Sequence, residues 1–193
     1  MAYSSGFNPH PRISYAGAAP TGSASEAEYL EIALAQVVDP ADVHAALDEA
    51  LPDGLDVLDV VVSGGGSLSD RLEASRWQIV LTDVPLADAE AAVEAFRVQE
   101  EVTVERMTKK GLRTFNCRAA VVALAAGAAE QGSMLDVVIR QGTPSVRPDD
   151  VLAGLKAAGG LQVGAPPLQR RLAQGPWDEA TGHVGDPLID DRG

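Results

Sequence analysis

Residues 76–106, with the sequence RWQIVLTDVPLADAEAAVEAFRVQEEVTVER, hold the strand–helix–strand pattern that decides the fold class. The β-branched and aromatic side chains of residues 76–81 favour a strand. After Pro85, four apolar side chains recur at the spacing of one helix face: Leu86, Ala89, Val93 and Phe96. Residues 102–106 then alternate between apolar and polar side chains, as a half-buried strand does. The stretch predicts an α+β protein.

The elements after this stretch continue the same pattern. Residues 109–112 predict a hairpin turn, with a return strand from residue 113 towards residue 124. The remaining predicted elements are a strand at 134–140, a helix at 148–157 ended by Gly159 and Gly160, and a last strand at 168–172. This order is close to the βαββαβ unit of ferredoxin-like folds.

The residues before this half predict a shorter version of the same unit. The predicted elements are strands at 13–17 and 29–34, a helix at 40–51 and a buried strand at 55–62. We therefore expect two ferredoxin-like halves, the first truncated at its N-terminus. The expected divisions are residues 1–63, a Gly/Ser hinge at 64–67, the second half at 68–173, and an acidic disordered tail at 174–193.

Composition and charge limit the class of protein. The 193 residues carry a formal net charge of -13, which argues against broad binding to phosphate backbones but permits a local basic patch. The single Cys117 excludes an internal disulfide and a site made only of cysteines. Neither a leader nor a membrane span is expected from the apolar runs. We expect a cytoplasmic protein without a metal or cofactor of its own.

The segment Gly6-Phe7-Asn8-Pro9-His10-Pro11-Arg12 is the first candidate binding site. Two prolines stiffen the loop, and its glycine allows close approach of a ligand to the backbone. The candidate ligand-binding residues are Gly6, Phe7, Asn8, His10 and Arg12. His10 is also a weak candidate for a general acid or base. The alternative is a structural turn that orients the next strand.

A basic hairpin is the second candidate. Five of the 15 basic residues fall within positions 106–118, namely Arg106, Lys109, Lys110, Arg113 and Arg118. Alternation along the strands would put several of them on one face, where they could contact the phosphates of an RNA. The alternative is an exposed hairpin whose charges protect a sheet edge.

Two segments resemble the radical-SAM-linked family of unknown function. The first is YSSGFNPHPRIS at residues 3–14 with GSASEAEY at residues 22–29, and the second is RMTKKGLR at residues 106–113. The resemblance extends to about residue 173 and implies a radical SAM partner that supplies an iron–sulfur cluster and S-adenosylmethionine. Genes for ribonuclease E/G and ribosomal proteins often lie near those of the family.

Members of that family carry a further strand and helix in front of the position of Tyr3. The resemblance therefore implies that this chain lacks them, or that its start codon was wrongly assigned. On either account we expect an exposed sheet edge and an uncovered apolar face.

These observations leave three functional hypotheses. The first is an accessory or substrate-binding protein that works with a radical SAM partner in RNA or ribosome metabolism. The second is a small ribonuclease-like or RNA-modifying enzyme that uses His10. The third is a protein-interaction module that docks through a sheet edge or its acidic surface and binds no RNA.

Overall fold

The computed structural model of the chain describes residues 1–5, 7–109 and 111–192. Its strands are β1 (Ile13–Ala16), β2 (Ala24–Ser25), β3 (Tyr29–Ile32), β4 (Ala74–Leu81), β5 (Thr103–Thr108), β6 (Gly111–Asn116), β7 (Val121–Ala128), β8 (Ser133–Arg140), β9 (Leu168–Gly175), β10 (Trp177–Asp178) and β11 (His183–Val184). Its α-helices are α1 (Pro40–Ala50), α2 (Leu68–Arg71), α3 (Leu86–Arg97) and α4 (Pro148–Gly159). The predicted α+β class with antiparallel sheets is confirmed.

A five-stranded sheet in the order β2-β9-β4-β8-β7 is the centre of the molecule. The four long strands are antiparallel to their neighbours, and only the short β2 runs parallel to β9. Helix α3 connects β4 to β7, and helix α4 connects β8 to β9. Each helix therefore crosses over one intervening strand. The hairpin of β5 and β6 is inserted between α3 and β7 and forms a sheet of its own.

The hydrophobic core lies between α3, α4 and one face of this sheet. Alternate residues of the central strands, such as Ile79 and Leu135, are fully buried there with Phe96 of α3 and Leu155 of α4. Burial of such side chains is the main stabilising contribution to the fold. The opposite sheet face has half-buried side chains and no helix of the described chain covering it.

The structure of residues 1–63 differs from the expectation. Strands β1 and β3 pair only with each other, while β2 joins the main sheet through β9. Helix α1 has no buried residue. The predicted buried strand at 55–62 is wrong: the segment has no strand, and Leu58 is 82% exposed. The segment pairs with no strand of the described chain, so its apolar content alone did not form a strand there.

The predicted return strand from residue 113 to 124 is also interrupted. The side-chain oxygen of Asn116 accepts hydrogen bonds from the backbone N–H groups of Val102 and Arg118. These bonds turn the chain into a short 3₁₀ helix at Arg118–Ala120, after which β7 begins in the main sheet. Cys117 thus lies in a turn between two sheets rather than within one strand.

Residues 174–193, for which composition predicts disorder, contain β10, β11 and a 3₁₀ helix at Ile189–Asp191 within the described part. Asp191 accepts hydrogen bonds from the backbone of Gly64 at 3.0 Å and from Arg71 at 2.5 Å. Arg71 also donates to the carbonyl of Gly65 at 2.7 Å. The glycine-rich hinge is therefore held by side chains from both sides. No described helix is long and apolar enough to cross a bilayer.

Candidate nucleic-acid interface

The hairpin of β5 and β6 places its cations and its exposed apolar side chains on different faces. Arg106 lies opposite Arg113, and Met107 lies opposite Leu112. Directly opposed residues of an antiparallel pair share a face, and successive residues alternate between faces. The hairpin therefore has one arginine-bearing face and one face with Met107 and Leu112, which are 72% and 57% exposed.

The hairpin is anchored to helix α4 through Arg106, in the middle of β5. Nη1 of Arg106 lies 2.5 Å from Oδ2 of Asp150, and Nη2 of Arg106 donates to the carbonyl of Ser145 at 3.0 Å. The guanidinium also lies 5.0 Å from the ring centre of Phe115, close enough for a cation–π contact. Val104 is buried beside them in the main core. The guanidinium of Arg106 is thus already occupied by contacts that hold the hairpin against α4.

Asp150 serves two roles at this anchor. The same carboxylate oxygen that binds Arg106 accepts a hydrogen bond from the backbone of Arg147 at 2.8 Å and so caps α4. Burial raises the pKa of Asp150, and the hydrogen bond from Arg147 and the charge of Arg106 oppose that rise. The pair is largely shielded from water, which strengthens its attraction.

The tip of the hairpin, from Met107 to Arg113, carries two exposed cations that have no ion-pair partner in the described chain. Lys109 and Arg113 are exposed, and neither forms an ion pair with the described part of the chain. The third predicted cation of the tip, Lys110, lies outside the described residues. The tip therefore combines free positive charge with exposed Met107 and Leu112. That combination suits phosphate contacts together with apolar contacts to bases or sugars.

Arg118 lies apart from the tip. Its guanidinium donates to the carbonyl oxygens of Val121 at 3.0 Å and Arg97 at 3.4 Å, and it lies 5.6 Å from the ring centre of Phe96. It borders an open cleft of about 510 Å³ along the outer edge of β7. Arg118 therefore connects the 3₁₀ turn to the end of α3.

The loop around His10 is closed by backbone pairing. The backbone of Ser4 donates to the carbonyl of His10 at 2.9 Å, and the hydroxyl of Ser4 accepts from the backbone of His10 at 3.0 Å. Phe7 is fully exposed, and the side chains of Asn8, His10 and Arg12 are exposed as well. Gly6, also predicted to bind ligand, lies outside the described residues.

His10 has no described side chain that would orient it for catalysis. No hydrogen bond or ion pair of the described chain involves its imidazole, whereas a general base is ordinarily held by a second polar group. Nor do described hydrogen bonds or ion pairs join the loop to the hairpin. The described residues also contain no group of three His, Cys, Asp or Glu side chains that could hold a metal ion.

The uncovered face of the main sheet is nearly neutral. Arg76 forms an ion pair with Asp136 on the neighbouring strand, 2.5 Å apart, and Arg170 lies 3.3 Å from Glu26. The hydrogen bond that Arg76 donates to Asp136 is the main influence that raises the pKa of Arg76. Because each of these cations is paired with a carboxylate, this face should attract phosphates less strongly than the hairpin tip does.

The sequence was compared with families, curated proteins and solved structures. It matches the family described as uncharacterized proteins conserved in bacteria, DUF2344, over residues 1–148. The chain belongs to the DUF2344 family. The DUF2344 match includes the loop and the hairpin, and it ends where α4 begins. Neither a curated protein nor a solved structure gave a significant match.

Sequence reasoning missed the anchor of the hairpin and its exposed apolar pair. A buried carboxylate at a helix start needs a cationic partner when the site is dry, but the local sequence does not show that Asp150 is buried. Met107 and Leu112 could have been noticed from the alternation of the strands, because they fall on the face opposite Val104.

Proposed function

We propose that this chain is an accessory protein that binds RNA for a radical SAM partner, with the tip of the β5–β6 hairpin as its RNA contact. The observation that carries the RNA part is a hairpin anchored to α4 through Arg106 and Asp150, with Lys109 and Arg113 exposed and without an ion pair in the described chain. The radical SAM part rests on the resemblance of residues 3–29 and 106–113.

The geometry of the anchor supports a binding role over simple edge protection. An edge-protecting charge needs no rigid support, whereas a contact that fixes the register of a nucleic acid must be held in place. Here an ion pair, a carbonyl contact and a ring contact of one arginine hold the hairpin at Arg106. The phosphate-directed cations then project from a fixed platform.

We also infer that residues 68–175 form a ferredoxin-like unit. The supporting observation is that the four long strands, numbered along the chain, lie side by side in the order fourth, first, third, second, with α3 and α4 as the crossovers. The β5–β6 hairpin is then an insertion into that unit.

The RNA contact is tested by charge reversal at the tip. We expect Lys109→Glu with Arg113→Glu to weaken binding of a labelled stem–loop RNA at least about tenfold at low salt. The variant should also reduce the slope of log K against log salt by about 2, because two phosphate contacts are lost. Fluorescence anisotropy titrations at several salt concentrations measure both quantities.

A matched control separates the site from the net charge. The variant Arg97→Glu with Lys156→Glu makes the same change in net charge on α3 and α4, and both side chains are exposed. It should bind the RNA within about threefold of the wild type, allowing only for the long-range field. Equal weakening by both variants, or no salt-sensitive binding by the wild type, would contradict the RNA contact.

The partner is tested separately. Co-expression with a radical SAM protein from the same genome, followed by size-exclusion chromatography, should yield a complex that survives the hairpin substitutions. Elution of the two proteins apart at micromolar concentration would remove the partner from the proposal and leave the RNA contact untouched.

A further inference from the structure

The small sheet of β1 and β3 has one apolar face without a covering element. Ile13 lies opposite Ile32, and Tyr15 lies opposite Leu30, so the four side chains share one face. Tyr15 is 61% exposed, Ile13 49% and Leu30 43%. A face of this kind, built from adjacent large apolar side chains, differs from single apolar residues scattered over a surface.

The other face of the same sheet is already used. Ala16 is buried there with Leu68 and Leu72, and Tyr29 and Leu188 pack against them. The sheet is therefore fixed in position by its inner face, while its outer face faces solvent. Strands β1 and β3 pair with no other strand of the described chain, so each has an outer edge that could accept a further strand.

The charge of this segment indicates what kind of partner fits. Residues 1–62 contain ten acidic residues and a single basic one, Arg12. Helix α1 contributes Asp42, Asp48 and Glu49 and buries none of its residues. The same segment exposes further apolar side chains, among them Val37, Leu55, Leu58 and Val62. The segment that carries the apolar face thus has a strong excess of negative charge.

Two copies of this chain would fit poorly on such a surface. Each copy would bring the same excess of negative charge to the contact, and like charges oppose association. A polypeptide with alternating basic and apolar residues has the complementary charge. It could also add a strand to β1 or β3 through backbone hydrogen bonds.

We propose that the face formed by Ile13, Tyr15, Leu30 and Ile32 is a docking site for a basic, amphipathic segment of a partner protein, which adds a strand to the β1–β3 sheet. The site is built from residues other than those of the hairpin. It therefore stands whether or not the hairpin binds RNA, and the two experiments change different side chains.

The test uses synthetic peptides as the probe. A fluorescein-labelled peptide of alternating Lys and Leu should bind the full chain, and one of alternating Glu and Leu should bind at least about tenfold more weakly. Tyr15→Ser with Leu30→Ser should weaken the Lys–Leu peptide at least about tenfold, because two apolar contacts are lost. Fluorescence anisotropy measures the affinities.

Two control variants distinguish binding at this face from nonspecific apolar binding and from electrostatic attraction. Val98→Ser with Leu168→Ser removes two apolar side chains elsewhere that are 70% and 66% exposed, and it should leave the affinity within about twofold. Asp42→Lys with Glu49→Lys leaves the sheet intact and should weaken the Lys–Leu peptide several-fold by charge alone. This second variant keeps the test valid if the sheet variant misfolds.

Three outcomes would overturn the proposal. The first is equal affinity for the two peptides, and the second is equal loss in the Tyr15/Leu30 and Val98/Leu168 variants. The third is a wild-type dimer in sedimentation velocity that dissociates on substitution of Tyr15 and Leu30, since a second copy would then be the occupant.

Discussion

Cys117 shows how burial changes the chemistry of a single side chain. The thiol is fully buried, next to Phe96 and Val102 in the main core. Desolvation is the largest influence that raises its pKa, to about 11. Cys117 therefore packs as a small hydrophobic residue of the core.

We expect Cys117 to resist alkylation in the folded protein. At pH 8 roughly one thiol in a thousand would be ionised at a pKa of about 11, and the reagent has no access to it. Iodoacetamide labelling followed by mass spectrometry should give no adduct in buffer and complete modification in urea. Rapid labelling without denaturant would contradict the burial.

The same thiol should make stability depend on alkaline pH. The pKa of the thiol rises from 9.0 to about 11 on folding. Its contribution to the free energy of unfolding is therefore complete below pH 9 and is lost as the pH rises towards 11. Between pH 8 and pH 10 we expect wild type to lose about 1 kcal/mol of unfolding free energy relative to Cys117→Ala. Urea unfolding of both proteins at the two pH values measures this difference, which should vanish if the thiol is exposed.

The contact between α3 and α4 depends on small residues. A Cβ at Gly154 would lie 2.7 Å from Sγ of Cys117 and 2.8 Å from Cε2 of Phe96. A Cβ at Gly159 would lie 2.5 Å from the Cα of Ala92. The helices approach this closely because these positions have no side chain, which is a reason for glycine in a helix despite its low propensity.

We expect Gly154→Ala to destabilise the protein by about 1–3 kcal/mol, because the added methyl overpacks the core. Helix propensity alone would favour alanine, so the sign of the effect reports the packing. The matched control is Gly142→Ala, where an added Cβ meets nothing within 4 Å and the backbone needs no positive φ. Thermal unfolding followed by circular dichroism measures both, and a stabilised Gly154→Ala would show that the helices can separate.

Arg171 connects the N-terminal segment to the main sheet at the scale of the whole molecule. Its guanidinium donates to the carbonyl of Gly17 at 2.6 Å, to the hydroxyl of Ser25 at 3.1 Å and to the carboxylate of Glu28. It also lies 5.5 Å from the ring centre of Trp77. A single buried cation on β9 thus holds three points of the chain before α1.

We expect Arg171→Met to release the N-terminal segment while the sheet stays folded. The free energy of unfolding should fall by about 2–3 kcal/mol. This is at the low end for breaking a buried ion pair, because the side chain of Glu28 is one-third exposed. Hydrogen exchange should accelerate in residues 13–32 and change little in β4 and β8.

Arg170→Met is the matched control for this substitution. Arg170 is the neighbouring residue, and its pair with Glu26 is more than half exposed on both sides. Its loss should change stability by no more than about 0.5 kcal/mol. Equal effects of the two substitutions would mean that burial of Arg171 contributes nothing to holding the segment.

The sequence by itself determined the class of the fold and most of residues 68–175. Strand and helix periods in this half follow directly from which side chains must be buried, as Ile79 on β4 and Phe96 on α3 show. The hairpin was predictable because its basic turn separates two alternating strands. The family of the protein was also visible in the sequence, because the matching segments are continuous stretches of the chain.

Tertiary structure alone decided how the cations are used and where residues 1–63 lie. Arg106, Lys109 and Arg113 look alike in sequence, but only Arg106 meets a buried carboxylate, and Asp150 comes from a helix 44 positions further on. Residues 55–62 have the apolar content of a strand and lack a partner edge, and the acidic tail is held by Arg71 and Arg192. Pairing of strands and charges joins residues distant in the chain, so it depends on the packed arrangement rather than on any local pattern.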